Sequence, residues 1–261
     1  MIKNEFIYAA HLLFDARINK KPLKNLPKAL IPKNIKDAYR IQDELCSLYL
    51  KKNNKIIGKK IGCTSKKAQK QINITEPFYG NIFSKFYSKS KIILNNKNFI
   101  KPYFEPEFSF KIKKNINNKI INKHNINQYI ESVLPSIEIV DARYKNWKKV
   151  GINNLIADNG ANSFWIRGKE FKNISYSDFN NFEVKVYVNN KLVETGNSKN
   201  VLKNPMNAII WLNKKLSSKN KKIQKGEYIS TGTCTPAILL KKNDKINVDF
   251  DFLGKVEFQF I

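Results

Sequence analysis

Along the chain, the spacing of apolar side chains changes at about residue 55. Phe6, Ala9, Ala10 and Leu13 recur three and four apart, and Ile35, Ala38, Leu45 and Tyr49, with Gln42 among them, repeat that spacing after Pro32. This period puts one stripe on a helix, so the first fifty or so residues are predicted to be mostly helical. From Lys55 onward the apolar residues come in short runs broken by Gly, Pro and Asn. Strict alternation at Phe182, Val184, Val186 and Val188, and again at Val248, Phe250 and Phe252, predicts half-buried strands. VYVNNKLVETG is expected to be a hairpin turning at Asn189 and Asn190, and DFDFLGKVEFQF a second one turning near Leu253 and Gly254. One helix should interrupt the strands: Asn204 can cap it, Pro205 suits its first position, and Ala208, Ile209, Leu212 and Leu216 share a face. Ile126, Tyr129, Ile130 and Val133 give a weaker helical signal.

Helices first, then a largely β body with inserted helices, is the order of an α+β protein and not the alternation of a doubly wound sheet. The expected division is a helical section over 1–54 and a β-rich domain over 55–261. No internal repeat, dinucleotide fingerprint or Walker loop is present.

With 261 residues, 42% of them hydrophobic, the chain can bury a sizeable core, and no apolar run approaches the roughly 18 to 20 residues of a membrane helix. Cys46, Cys63 and Cys234 form an odd, widely spaced set, which argues against a disulfide framework or a thiolate zinc site. The start, MIKNEFIYAAHLLFDARINK, lacks the continuous apolar region of a signal peptide. A cytoplasmic protein without a membrane partner is expected. The net charge of +27 suggests a polyanion partner until its distribution is considered. Arg occurs only at Arg17, Arg40, Arg143 and Arg167, and the Lys are scattered over the whole length. A reader of bases or phosphates favours Arg and gathers its charge, so no specific nucleic-acid partner is expected, only salt-sensitive adhesion.

The stretch that points to chemistry is KPYFEPEFSFKI. Alternate side chains of a strand share a face, so Glu105 and Glu107 point the same way with Cα atoms roughly 7 Å apart. Phe104 and Phe108 would bury the other face, and two acids sunk among apolar neighbours call for a cation; a solvated edge strand fits the same pattern. Glu138, between Ile137 and Ile139, adds a third acid that is rarely left unpaired inside a strand. Three Glu without a suitably placed His make a hard, oxygen-only set suited to Mg²⁺ or Mn²⁺. Asp141 and Arg143 are read as a structural ion pair, and His11 and His124 as surface or structural residues.

GKKIGCTSKKAQ, EPFYGNIF, KPYFEPEFSF, SIEIVDARYKNW, ADNGAN and VLKNPMNAIIWL occur in the order and approximate spacing of the 2-keto-4-pentenoate hydratase and 4-oxalocrotonate decarboxylase group. From about Ala38 to the C-terminus the chain resembles that group of the fumarylacetoacetate hydrolase superfamily. The resemblance implies a rolled mixed β-fold around a Mg²⁺ site, a homo-oligomer, and small-molecule substrates bearing a 2-keto or 2-enol carboxylate. It matches Glu105, Glu107 and Glu138 to metal ligands and Lys60, in K-I-G, to the lysine facing the substrate. A Lys beside a divalent cation has its neutral form favoured and can exchange protons near neutral pH. Removing it is expected to leave metal affinity nearly intact. Thr233 and Thr235 of STGTCTP, Tyr79, and Asn159 of ADNGAN are expected to bind substrate. The chain departs from the hydratase pattern P-D-x-G at Pro77, Phe78, Tyr79 and Gly80, where an acid that helps activate water is replaced by Phe78. The resemblance as a whole implies a Mg²⁺-dependent lyase of the hydratase type, and the departure at Phe78 keeps 4-oxalocrotonate-type decarboxylation as the alternative. A basic polyanion-binding protein with structural carboxylates is the rival from another class.

Overall fold

The computed structural model describes residues 1–71, 74–117 and 120–261. Two long helices come first, α1 over Lys3–Ile18 and α2 over Ile35–Lys51. The Asn34 side chain caps α2 by accepting from the Asp37 N–H at 2.9 Å. Both helices bury the stripe read from the sequence, Phe6, Ala9, Ala10 and Leu13 in one and Ala38, Gln42, Leu45 and Tyr49 in the other.

Strands β1 (Ile56–Gly62), β2 (Phe78–Phe83), β3 (Tyr87–Lys89), β4 (Ile92–Leu94), β5 (Tyr103–Ile112), β6 (Ile130–Val140) and β7 (Asn162–Arg167) follow, with short helices α3 (Lys66–Gln71) and α4 (Ile152–Ala157) between them. After them come the hairpin β8 (Glu183–Val188) and β9 (Lys191–Asn197), helix α5 (Met206–Ser217), and β10 (Tyr228–Thr233), β11 (Ile238–Leu239), β12 (Asp244–Asp249) and β13 (Lys255–Phe260). One mixed sheet runs β2-β1-β10-β5-β6-β7-β3, with β11 also paired to β5; the other runs β4-β13-β12-β8-β9. Aromatic rings of β5 fill the space between the sheets: Phe104 meets Phe258, and Phe108 meets Phe250 edge-on at 5.5 Å.

The first hairpin turns where expected, with Asn189 and Asn190 at φ 52° and 65°, the left-handed conformation a two-residue turn requires. Asn204 Oδ1 accepts from the Met206 N–H at 3.0 Å and starts α5. Two readings change. The last hairpin strand stops at Asp249, because Asp251–Leu253 form a single 3-10 turn that leaves Phe252 in solvent. Only Ile126–Tyr129 are helical in the weaker segment; Ile130 and Val133 belong to β6, where their β-branched side chains pair along β5. No described helix is long and apolar enough to cross a membrane.

Helix α2 docks on the body through one buried amide. Gln42 Nε2 donates to the carbonyls of Tyr79 at 3.0 Å and Ile156 at 2.8 Å. From α1, Arg17 donates to the Asn162 carbonyl at 2.8 Å, next to the first residues of β7. The helical section thus grips β2, at one edge of the first sheet, and β7, the strand next to β6.

Candidate active site

Strand alternation puts Glu105 and Glu107 on one face of β5, and antiparallel register sets Glu138 of β6 directly opposite Glu105. One ligand oxygen from each of the three lies within 4.8 Å of the others. Like charges opposite one another in a sheet repel, and here Glu107 and Glu138 are fully buried. Lys60 arrives from β1, three strands away from β6 in the sheet order. Its Nζ still reaches within 3.1 Å of Glu138 Oε2, which requires the sheet to curl so that its faces converge.

Two of the three acids have a holder. Glu107 accepts from Ser230 Oγ of β10, itself tied to Ser109 Oγ at 2.9 Å and Trp165 Nε1 at 3.2 Å. Glu138 Oε1 accepts from Asn162 Nδ2 at 2.8 Å. The remaining oxygens, Glu107 Oε1 and Glu138 Oε2, accept no hydrogen bond, Oε2 having only its ion-pair contact with Lys60. Three carboxylates against one ammonium leave a surplus of two negative charges out of water. Burial, and then the charge of Glu138, push Glu105 up to about 7, and burial with both neighbouring acids pushes Glu107 well above the usual range. Burial favours neutral Lys60, but the charges of Glu138, Glu105 and Glu107 outweigh it and hold the ammonium above the ordinary lysine value. The neutral Lys60 expected from the sequence is thus not the metal-free state. Orphan oxygens, oxygen-only donors and a two-charge deficit together fit one hard divalent cation.

A cavity of about 610 Å³ opens above these groups, lined by Lys60 and Glu105, by Phe78, and by an apolar wall of Tyr103, Trp147 and Leu155. The Phe78 ring centroid is 5.4 Å from Lys60 Nζ. Its place depends on two glycines: a Cβ on Gly62 would lie 2.6 Å from the ring, and one on Gly160, at φ +64°, would lie 2.9 Å from it. K-I-G and ADNGAN are thereby explained as the two sides of a slot for the residue at position 78.

Four expected substrate residues fare differently. Thr233 and Thr235 line the cavity, but Thr233 Oγ1 donates to the Thr235 carbonyl at 2.8 Å and Thr235 Oγ1 to that of Pro236 at 3.0 Å. Tyr79 does not reach the cavity; it lies on the other face of β2 and stacks on Tyr39 at 4.6 Å, because adjacent strand residues point opposite ways. Asn159 is also absent from the lining. Its side chain clamps β2 by accepting from the Asn81 N–H at 2.7 Å and donating to the Asn81 carbonyl at 2.9 Å. Asp141 and Arg143 do not pair as read: Arg143 Nε bonds buried Asp158, while Asp141 accepts from the N–H groups of Ile100 and Lys101. Both His are exposed and outside the cavity. Sequence reasoning missed Asn162 and Ser230, the residues that orient the acids, although both sit in the quoted ADNGAN and STGTCTP stretches.

A curled mixed sheet carrying converged carboxylates beside a buried lysine defines a class, the metal-dependent enzymes built on the fumarylacetoacetate hydrolase fold. A family model for the fumarylacetoacetate (FAA) hydrolase C-terminal region matches residues 50–261, and the chain belongs to that family. It is 27% identical over 252 residues to 2-keto-4-pentenoate hydratase 1 of Dechloromonas aromatica (strain RCB), covering 97% of this chain and 95% of that protein. To 4-oxalocrotonate decarboxylase of Pseudomonas putida it is 28% identical over 225 residues, 86% of this chain and 85% of the other. The structure of 4-oxalocrotonate decarboxylase from Pseudomonas putida G7, complexed with magnesium and adipate, superposes with a TM-score of 0.94 at 25% identity, covering 100% of this chain and 99% of that one.

Proposed function

We propose that the chain is a Mg²⁺-dependent lyase of the 2-keto-4-pentenoate hydratase type, acting on a small 2-keto or 2-hydroxydienoate carboxylic acid. Glu105, Glu107 and Glu138 are the metal ligands, with Mn²⁺ an acceptable substitute, and Lys60 is the catalytic residue. The observation that carries this reading is the convergence of the three acids beside Lys60, with Lys60 and Glu105 lining a cavity that has an apolar wall. When bound, the cation supplies Lewis acidity toward the substrate's 2-oxygen and offsets the carboxylate charge around Lys60.

This chain's own residues do the rest. Asn162 and Ser230 hold Glu138 and Glu107 in one orientation, so the acids need not reorganise on binding. Tyr103, Trp147 and Leu155 pack the carbon chain of the substrate and exclude water from it. Lys60 Nζ is placed to take the proton of the 2-hydroxyl and to return one to the carbon chain during enol–keto interconversion. Thr233 and Thr235 meet the substrate only if a hydroxyl leaves its carbonyl partner. The division into a helical section over 1–54 and a catalytic domain over 55–261, a homo-oligomer and a cytoplasmic setting belong to the same proposal.

Phe78 supports decarboxylation as the second reading. An apolar ring cannot orient water, and Tyr79, whose hydroxyl is nearest in sequence to replace an acid, is on the other face of β2. A panel of 2-hydroxydienoates and 4-oxalocrotonate, assayed with Mg²⁺ for loss of dienol absorbance and for CO₂, separates the two. No turnover on any member would reject the enzyme assignment.

A further inference from the structure

A second cavity, of about 970 Å³, lies on the other side of β2 and shares no lining residue with the first. Alternation along β2 makes this strand the wall of both: Phe78 lines the first cavity, and Tyr79 and Asn81 line the second. Its volume falls in the range of small-molecule pockets.

The chemistry of its lining is mixed in a way that suggests a ligand. Ile56, Ile57, Leu216 and Tyr228 give it an apolar floor. Asn81 is 6% exposed and its main chain is bonded to Asn159, yet its side-chain amide makes no hydrogen bond among the described residues. Tyr79 is 3% exposed, and its buried hydroxyl likewise has no partner. The Tyr79 hydroxyl, left dry, costs about 1–3 kcal/mol, while the Asn81 amide keeps contact with the cavity and is free to bond a molecule there. Around them the charge is positive. Lys59 and Lys221 are paired, with Glu227 at 3.1 Å and Asp43 at 2.8 Å. Lys222 and Lys225, also in the lining and exposed, have no carboxylate partner among the described residues.

We infer that this cavity is a second small-molecule site, taking an organic monoanion with an apolar body. Its polar group pairs with the Asn81 amide, and its charge meets Lys222 and Lys225. Inorganic phosphate alone would leave the apolar floor wet, and an uncharged hydrocarbon would leave the amide and the rim unmet.

The test uses 8-anilinonaphthalene-1-sulfonate, an apolar monoanion whose fluorescence reports burial, titrated into the intact protein. One site per chain is expected, undisplaced by Mg²⁺ with oxalate, which compete for the first cavity. The rim double variant Lys222→Glu/Lys225→Glu, at two exposed positions, should weaken binding by about tenfold. Asn81→Leu should weaken it with an unchanged circular dichroism spectrum; should that variant fail to fold, the rim variant decides. Displacement by Mg²⁺ and oxalate, indifference to the rim charges, or no binding at all would each overturn the proposal, the last leaving ordered water as the occupant. Binding that appears only when sedimentation shows an oligomer dissociating would also overturn it, assigning the face to a second copy of the chain.

Discussion

Replacing Lys60 with Met reads the electrostatics of the site in two opposite directions. In metal-free protein the ammonium, 2% exposed, is the counter-charge to three carboxylates, two of them fully buried. Removing one partner of a buried ion pair costs about 3–5 kcal/mol. Proton uptake by the acids keeps the loss near the lower end, since Glu105 already titrates at about 7. At roughly 2–4 °C per kcal/mol for a chain of this size, Tm in chelator should fall by roughly 6–12 °C. With Mg²⁺ the sign reverses, because the cation and Lys60 draw on the same carboxylates. Two unit charges about 5 Å apart interact by about 3 kcal/mol at an effective dielectric of 20, so Lys60→Met should bind Mg²⁺ at least about tenfold more tightly, a change of about 1.4 kcal/mol. The ion pair to Glu138 therefore replaces the expectation, drawn from sequence, that metal affinity would stay nearly intact. Turnover should fall by about 10²–10⁴, the usual contribution of a positioned proton carrier. Thermal scans in chelator and in Mg²⁺, calorimetric titration of Mg²⁺, and the dienol assay give the three readouts. Unchanged or weaker Mg²⁺ affinity, with equal Tm shifts in both conditions, would refute the shared-charge reasoning, and retained turnover would remove Lys60 as the proton carrier.

Glu105 and Glu107 hold protons more tightly in the fold than in the unfolded chain. Their contribution to metal-free stability is therefore full below the ordinary carboxylate value of about 4.3 and is lost as pH rises, for Glu105 through about 7 and for Glu107 well above the usual carboxylate range. Mg²⁺ binding needs these groups ionised, so the Tm increment from Mg²⁺ should grow across the same window; a constant increment counts against the acids as ligands. Asn162→Ala removes the donor to Glu138 Oε1 and should weaken Mg²⁺ binding by about 10- to 100-fold in a calorimetric titration, while intact affinity would make Asn162 a packing residue only. Phe78→Asp, in the slot between Gly62 and Gly160, should raise hydration relative to CO₂ release in product analysis, and an unchanged ratio would place water activation elsewhere. Duplex DNA retained at low salt should elute without sequence preference as salt rises; selective binding that survives moderate salt would restore a nucleic-acid role.

Period-based features were readable from the chain. The stripes of α1 and α2, the alternation of β8, and the Asn189–Asn190 turn each express a local rule that tertiary packing did not override. The acid pair was readable for the same reason, since a strand with Phe on one face leaves Glu105 and Glu107 on the other. What failed needed information from another strand. Ile126 to Val133 has helical spacing, but ten residues of β5 lie ready to pair with Ile130 onward, and pairing prevailed. Arg143 finds Asp158 in place of its sequence neighbour Asp141 because the turn after β6 folds back over α4, a contact that no local spacing encodes.

Tyr79 and Asn159 illustrate a limit of motif reasoning at the site itself. A motif says that a stretch lies near the chemistry, and in β2 that is true of Phe78 and false of its neighbour by the geometry of one peptide unit. Asn159 sits beside the cavity's Gly160, yet its amide is spent on both main-chain groups of Asn81, which fixes the position of β2 against the turn before β7. That clamp matters to the chemistry indirectly: Gly160 closes one side of the Phe78 slot, Gly62 of β1 closes the other, and Gln42 of α2 holds the Tyr79 carbonyl next door. Phe78 is therefore gripped by three elements that carry no metal ligand. On the proposed reading, the residue that decides whether water is held beside Lys60 is positioned by packing, so the choice between hydration and decarboxylation is expected to change at position 78 while the carboxylates and their holders stay as they are.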